Sequence, residues 1–160
     1  MGTLLADPAR SARWLALLVP AALLGGAYLG QYAFGLYPCE MCWWQRYPHF
    51  VALALGLIGL VRPSRPLVVL GSLAILVSGL IGAYHAGVEY KWWEGLTACT
   101  ASATKGAADP MAAIWDAPII RCDDVQWSLF GISLAGFNFL ISTGAALTIF
   151  ALLRRKGAAA

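Results

Sequence analysis

The stretch LVVLGSLAILVSGLIGAYHAGV, residues 67–88, decides the fold class, because it contains no Asp, Glu, Lys or Arg. A transmembrane helix needs about 17 to 25 largely apolar residues, and this run has that length. Three more apolar stretches occupy residues 14–34, 43–61 and 129–153. Backbone groups in hydrocarbon must bond within their own segment, and continuous apolar runs exclude the alternating strands of a barrel. The sequence therefore predicts an all-α, polytopic membrane four-helix bundle.

Composition supports a single membrane domain over residues 1–160. The chain is 60% hydrophobic and 12% charged, too apolar for an ordinary soluble domain of 160 residues. Loops are expected at residues 35–42 and 89–128, on one side of the membrane. The second helix is the least apolar, because Arg46, Pro48 and His49 lie in its first half. Its first turns are therefore expected near the lipid headgroups.

The basic residues predict the orientation of the bundle. Lys and Arg concentrate on the cytoplasmic side of membrane proteins. Seven of them lie before the first helix, between helices two and three, or after helix four: Arg10, Arg13, Arg62, Arg65, Arg154, Arg155 and Lys156. Both termini are thus expected in the cytoplasm, and all four cysteines on the opposite, outer face. The net charge of +3 is accounted for by these borders, so no nucleic-acid partner is expected.

The first apolar run could instead be a cleaved signal peptide. It is longer than a typical signal core, and cleavage would leave three spans. The C-terminal Arg-Arg-Lys would then lie on the wrong side of the membrane relative to Arg62 and Arg65. We expect the first run to be a retained membrane anchor.

The second outer loop is too long for a simple connector. It contains Trp92, Trp93, Trp115 and Trp127, and tryptophan favours the membrane interface. Its apolar segment 111–115 is too short to span a bilayer. We expect a short helix of this loop to lie on the outer membrane surface.

Four cysteines carry the chemistry. Cys39 and Cys42 form a Cys-x-x-Cys motif at the start of the second helix, and Cys99 and Cys122 lie in the long outer loop. Disulfides persist in the oxidising space that this face would meet. Three pairings are open, and the economical one joins Cys39 to Cys42 and Cys99 to Cys122.

Two plainer interpretations of these cysteines exist. Two disulfides could simply stabilise an exported loop, although a bridge across Cys-x-x-Cys closes so short a ring that it gains little from chain entropy. Zinc could bind the same motif, but Cys99 and Cys122 do not form a second close pair, and an oxidising space opposes free thiolates. We expect no metal, and favour redox exchange between the two pairs.

Arg46 and His85 are candidate partners of an electron acceptor. Cys42 lies at a helix N-terminus, where the helix dipole favours a thiolate, and Arg46 lies four residues on, on the same helix face. Arg46 is therefore expected to stabilise that thiolate and to donate to a carbonyl oxygen beside it, although it could instead snorkel to the headgroups. His85, near the outer end of the third helix, could donate to the same acceptor or handle its protons, or be an interfacial packing residue.

Three sequence segments together resemble the bacterial disulfide bond formation protein B (DsbB) family. They are CEMCWWQRY at residues 39–47, Cys99, and CDDVQWSLFGIS at residues 122–133. The resemblance covers nearly the whole chain, although the Glu-Met between the first two cysteines and the short segment between Cys99 and Cys122 depart from better-known members. It implies a thiol:quinone oxidoreductase of the bacterial inner membrane with its cysteines facing the periplasm.

The resemblance also implies an order of events. A reduced periplasmic thioredoxin-like dithiol oxidase, similar to DsbA, would attack Cys99 and release Cys122, which would then attack Cys39. Each step is thiolate attack on a disulfide sulfur. Electrons would arrive at Cys42, which Arg46 holds as a thiolate against a membrane quinone, either ubiquinone or menaquinone. An apolar quinone pocket is expected from helices one, two and four.

Three alternatives remain at this stage. A family paralogue dedicated to one partner would share every motif. A vitamin K epoxide reductase-like enzyme also joins a cysteine relay to a quinone, but should place its loop pair before its Cys-x-x-Cys, the reverse of the order here. A non-enzymatic membrane scaffold would tolerate loss of Arg46, and would lose only stability with Cys42.

Overall fold

A computed structural model describes residues 7–95 and 121–155 of the chain. In these ranges the chain forms four helices and one short antiparallel hairpin: α1 (Pro8–Ala33), α2 (Glu40–Val61), α3 (Arg65–Glu89), β1 (Ser128–Leu129), β2 (Ile132–Ser133) and α4 (Leu134–Arg154). The four helices confirm the all-α membrane bundle. The expected interfacial helix at 111–115 and Cys99 lie outside the described residues.

Side chains begin three of the helices. The Asp7 carboxylate accepts a hydrogen bond from the Ala9 amide at the start of α1, and the Ser133 hydroxyl accepts one from the Gly136 amide at the start of α4. At the start of α2 the cap is a sulfur, because Cys39 Sγ accepts from the Cys42 amide at 3.3 Å. A side-chain acceptor satisfies one of the unpaired amides of a helix N-terminus. Cys39 therefore begins a helix as well as carrying a thiol.

The hairpin corrects the predicted start of the fourth helix, which begins at Leu134 and not at residue 129. Ser128 pairs with Ser133 and Leu129 with Ile132, so the chain reverses before the helix starts. The two residues at the turn, Phe130 and Gly131, have φ angles of +52° and +77°. A tight hairpin turn uses positive φ at both central positions, which a helix does not allow. The apolar run that begins at residue 129 therefore does not mark the start of the helix.

One half of the bundle packs as an apolar core; we call it the inner end, because the charges predict that it faces the cytoplasm, and we call the opposite half the outer end. Alanines and branched side chains from all four helices meet at the inner end: Ala12, Ala16, Ala52, Val68, Ile75, Ala146, Ile149 and Leu153. A Cβ added at Gly56 would come within 3.0 to 3.2 Å of Leu17, so α1 and α2 approach closely at that glycine. Small residues commonly allow such close approach between membrane helices.

Three of these helices, α1, α3 and α4, are long and apolar enough to cross a membrane by themselves. Helix α2 is not among them, although its sequence was expected to be long and apolar enough to span. Its outer half holds Gln45, Arg46 and His49, and the structure buries all three inside the bundle. The other helices therefore shield these polar side chains from lipid, so that α2 can lie in the membrane although its own composition is not apolar enough.

Candidate redox site

The Cys-x-x-Cys pair lies at the outer end of α2. Cys39 and Cys42 are free thiols whose sulfur atoms are 2.9 Å apart, so the expected bridge between them is not formed in this structure. Cys39 is only 2% exposed. Its hydrogen bond with Cys42, together with burial, raises the pKa of the Cys39 thiol. Ionisation of Cys39 is therefore disfavoured while both thiols are present.

A third sulfur lies beside this pair. Cys122 is buried in one cluster with Cys39, Met41 and Val88, although 83 residues of sequence separate it from Cys39. The sulfurs of Cys39 and Cys122 and a ring nitrogen of His85 lie within 4.8 Å of one another. Cys122 is disulfide-bonded, and its pairing with Cys99 stays a prediction. The sulfurs of Cys122 and Cys39 are thus close enough for a small shift to bring them into contact.

The same three groups could suggest a metal centre. Metal ligands must be deprotonated, and a thiolate rather than a disulfide sulfur supplies the ligand. Cys122 is disulfide-bonded here and so offers no thiolate. The arrangement suits sulfur exchange better than metal binding, and the expectation of no metal stays a prediction.

Charged side chains hold the Cys122 segment against the end of α3. Lys91 Nζ donates to the Asp123 carboxylate at 2.7 Å, and Arg121 donates to both oxygens of that carboxylate at 2.8 and 2.7 Å. Arg121, and after it Lys91, hold the pKa of Asp123 well below its usual range. Gln126 Nε2 donates to the Tyr37 carbonyl at 2.9 Å, which ties the segment to the first outer loop as well.

Arg46 lies one helical turn after Cys42 and faces α1. It is 6% exposed, with Nη1 donating to Gln31 Oε1 at 2.8 Å and Nη2 to the Ala27 carbonyl at 3.3 Å. Its guanidinium carbon lies 5.0 Å from the centre of the Tyr28 ring and 4.9 Å from that of Trp43. These contacts hold the side chain inside the protein rather than extended to the headgroups.

His85 lies on the other side of the thiol pair and is 2% exposed. Its Nε2 is 3.6 Å from Cys39 Sγ and 3.9 Å from a carboxylate oxygen of Glu89, and its ring also hydrogen-bonds to the backbone of Cys122. Its Nδ1 is 2.8 Å from Gln45 Nε2. The structure therefore places His85 against the sulfur atoms, whereas Arg46 faces α1.

Sequence reasoning missed Gln45, Glu89 and Asn138. Glu89 had a usable signal, since it follows His85 by four residues on one helix face and ends a long uncharged run. Gln45 and Asn138 had none, because their amides meet across two different helices: Asn138 Nδ2 donates to Gln45 Oε1 at 2.8 Å.

The sequence of this chain is similar to those of known proteins over most of its length. Residues 9–152 match the sequence profile described as "Disulfide bond formation protein DsbB". A "Disulfide bond formation protein B" of Polaromonas sp. (strain JS666) is 31% identical over 158 residues, which cover 94% of this chain and 93% of that protein. The protein of the same name in Marinobacter nauticus is 30% identical over 91% of this chain and 94% of the relative.

A third relative of the same name, from Shewanella sp. (strain MR-4), is 32% identical over 141 residues, 83% of this chain and 81% of its own. No solved structure matches the chain significantly. The family profile covers the Cys-x-x-Cys helix, the Cys122 segment and all but the ends of α1 and α4. The chain therefore belongs to the DsbB family of disulfide bond formation membrane proteins.

Proposed function

We propose that the protein is a membrane thiol:quinone oxidoreductase that reoxidises a periplasmic DsbA-like dithiol oxidase and so sustains protein disulfide bond formation. One observation carries the proposal: the buried sulfur of Cys122 lies within 4.8 Å of Cys39, while Cys39 lies 2.9 Å from Cys42. Three sulfurs in sequence form a path from the outer loop to the helix bundle. Family membership supports a disulfide-forming role for this path.

Two electrons pass from the partner to the helix pair in three steps of disulfide exchange. The partner dithiol reduces a Cys99–Cys122 disulfide, becoming a disulfide itself, and leaves Cys99 and Cys122 as thiols. The Cys122 thiolate attacks Cys39 of an oxidised Cys39–Cys42 pair, and Cys42 leaves as a thiolate. Cys99 then attacks Cys122, so that the loop disulfide reforms and Cys39 leaves as a thiolate. Two electrons have moved from the partner to the helix pair, whose thiol state is the one the structure holds.

The residues around Arg46 fit a quinone. A quinone ring needs donors for its carbonyl oxygens and flat apolar walls, and here a buried guanidinium lies between the rings of Tyr28 and Trp43. When bound, a quinone accepts two electrons and two protons. Arg46 would orient a carbonyl oxygen, and Cys42 would present its thiolate one turn away. Ubiquinone and menaquinone both have the required carbonyl groups.

An apolar groove lies on a different side of α2 from Arg46. It has a volume of about 440 Å³ and is lined by residues of α2 and α3: Trp44, Tyr47, Pro48, Val51, Ala74 and Val77. Helical periodicity places these α2 residues away from Arg46, which contacts α1. The Arg46 site is therefore the better place for the redox ring.

Localisation follows from the same proposal. We infer that the helices lie in the inner membrane of a bacterium with both termini in the cytoplasm, and the basic residues at the helix ends support this orientation. The sulfur cluster is at the opposite end of the bundle and so faces the periplasm, where a soluble dithiol partner reaches it. Lipid surrounds the helices, on which large apolar side chains such as Leu57, Leu80 and Leu147 are exposed.

The test is reduction of quinone by purified protein in detergent. A reduced periplasmic thioredoxin-like dithiol protein is added with ubiquinone or, in parallel, menaquinone, and quinone absorbance is followed. Wild type and the control Thr148→Ser, altered on an exposed part of α4, should reduce quinone, and Cys42→Ser should not. Quinone reduction by Cys42→Ser, or none by wild type with a partner that another oxidase accepts, would contradict the proposal.

Two comparisons separate the alternative functions. A scaffold would lose thermal stability in Cys42→Ser without any turnover to lose. A dedicated paralogue would reduce quinone with one partner and fail with several other thioredoxin-like dithiols. The proposed general oxidase should accept more than one of them.

A further inference from the structure

The outer half of the bundle contains a buried chain of amides whose orientation is fixed. Gln45 Nε2 lies 3.2 Å from the Met41 carbonyl, which can only accept, so this atom of Gln45 is the NH₂ group. Its other atom, Oε1, then accepts from Asn138 Nδ2 at 2.8 Å. Asn138 is fixed in the same way, because its Nδ2 donates to the Ser78 carbonyl at 3.1 Å. Two backbone carbonyls thus orient both amides.

This orientation decides where His85 carries its proton. Gln45 Nε2 is 2.8 Å from His85 Nδ1, and an NH₂ group there must donate. His85 Nδ1 is therefore an acceptor without hydrogen, and the neutral ring carries its hydrogen on Nε2. A proton added to Nδ1 would place two donors face to face, and the carbonyl of Met41 and the amide of Asn138 oppose a flip of Gln45.

The hydrogen on Nε2 points into the sulfur cluster, where the backbone carbonyl of Cys122 accepts it before the exchange and Cys39 Sγ lies beside it. Nε2 lies 3.6 Å from Cys39 Sγ and 3.9 Å from Glu89. Among the described residues, the titratable groups around His85 are Cys39 and Cys42 from the start of α2, Glu89 from its own helix, and the Cys122 segment. Gln45 of α2 links His85 to the uncharged Asn138 of α4. Arg46 faces α1, so within residues 7–95 and 121–155 no buried Lys or Arg balances a positive charge on His85.

We propose that Gln45 is a positioning residue that keeps His85 as a permanently neutral Nε2–H donor to the sulfur of Cys39. His85 then stabilises the thiolate at Cys39 as that sulfur leaves, and does not act as a base. The inference rests on the proposed exchange relay, since that relay makes Cys39 a leaving thiolate when the loop disulfide reforms. Hydrogen bonds to a charged group are stronger than those between neutral groups, so the donor favours this step.

The tautomer can be observed without any turnover. The chain has two histidines, so ¹⁵N-histidine labelling of the full protein in detergent gives two rings, and His85→Gln assigns them. His85 should show one protonated nitrogen, Nε2, and one bare nitrogen, Nδ1, unchanged between about pH 5 and pH 8. A protonated Nδ1, or titration of the ring in that range, would overturn the proposal even if the relay is correct.

Three substitutions, one at Gln45 and two at His85, then test the role. In Gln45→Glu the carboxylate accepts from Nδ1–H, so His85 should gain a proton on Nδ1 and quinone reduction should acquire a new pH dependence. His85→Gln keeps a neutral N–H near Nε2 and should stay within about tenfold of wild type, whereas His85→Ala should lose about tenfold to a hundredfold.

An inactive His85→Gln would overturn the donor role and favour a base. Unchanged His49 ring signals in each variant show that the bundle is intact, because His49 Nε2 bonds to Asn138 Oδ1 at 3.0 Å in the same network. The nitrogen spectra do not depend on quinone. A failed relay with the expected tautomer therefore contradicts the proposed function alone.

Discussion

The two ends of this bundle are built from the same four helices on opposite principles. The inner end packs Ala16, Ala52 and Ile75 into an apolar core, beside which the buried hydroxyl of Ser72 donates to its own helix at the Val68 carbonyl. The outer end buries thiols, amides and imidazoles that are paired with one another or with backbone carbonyls. Buried polar groups are stable only when paired, so the outer end is the part where each substitution leaves a partner unsatisfied. The fold depends on the inner end and the chemistry on the outer one.

The sharpest way to separate the two ends is to remove the sulfur that joins the loop to the bundle. Cys122→Ser should abolish oxidation of the soluble dithiol partner, since no thiolate remains to attack Cys39. The protein should stay folded in the membrane, because the helices do not depend on that sulfur. Partner oxidation and helical circular dichroism measure the two. Full activity of Cys122→Ser, or of Cys99→Ser, would refute a relay of two pairs.

A smaller loss is expected at Arg46. Arg46→Lys keeps the charge and loses the planar fork that reaches Gln31 and Ala27, so kcat/KM for quinone should fall about tenfold. A single round of exchange with the partner, started without quinone, should proceed at the wild-type rate. An equal loss in both reactions would mean that Arg46 only holds α2 against α1.

A still smaller effect is expected at the clamp on the Cys122 segment. Asp123→Asn removes ion pairs that are exposed, and such pairs contribute little, so turnover should fall roughly twofold or less. The folded-state pKa of Asp123 is lowered, so its contribution is present above the unfolded pKa and is lost as pH falls toward the folded value. The Asp123 ion pairs should therefore add to the thermal stability of wild type at neutral pH, and this contribution should disappear in acid. Asp123→Asn should lack the contribution at both pH values.

The inner end should respond in the opposite way. Ile75→Ala leaves a cavity beside Ala52 and Ile149 and should lower the free energy of unfolding by about 2 to 5 kcal/mol. Turnover per folded molecule should not change, because Ile75 belongs to the apolar cluster and not to the cluster that contains Cys39 and Cys122. Thermal unfolding in detergent and partner oxidation, normalised to folded protein, measure the pair. Lost turnover in the folded fraction would show that the two ends are coupled.

The sequence predicted the helices well, because apolar runs between basic clusters are a direct requirement of the bilayer. It placed the start of α4 five residues early, since hydropathy does not register a tight turn at Phe130 and Gly131. The Cys-x-x-Cys motif identified the helix pair from its spacing. The contact between Cys122 and Cys39 depends on the fold; the cysteine pattern suggested exchange between the two pairs, and the family resemblance supplied the order of attack. The amides of Gln45 and Asn138 could not be predicted, because neither has a local partner that reveals its role.

The cap sulfur of Cys39, at the start of α2, affects how an inactive variant should be designed. Serine is the usual replacement for a redox cysteine, and it is also among the best residues for a helix N-cap. Cys39→Ser therefore removes the reacting atom while leaving an oxygen in place to accept from the Cys42 amide. Such a variant should be inactive and keep its first helical turn, whereas Cys39→Ala should lose the reaction and also weaken that turn.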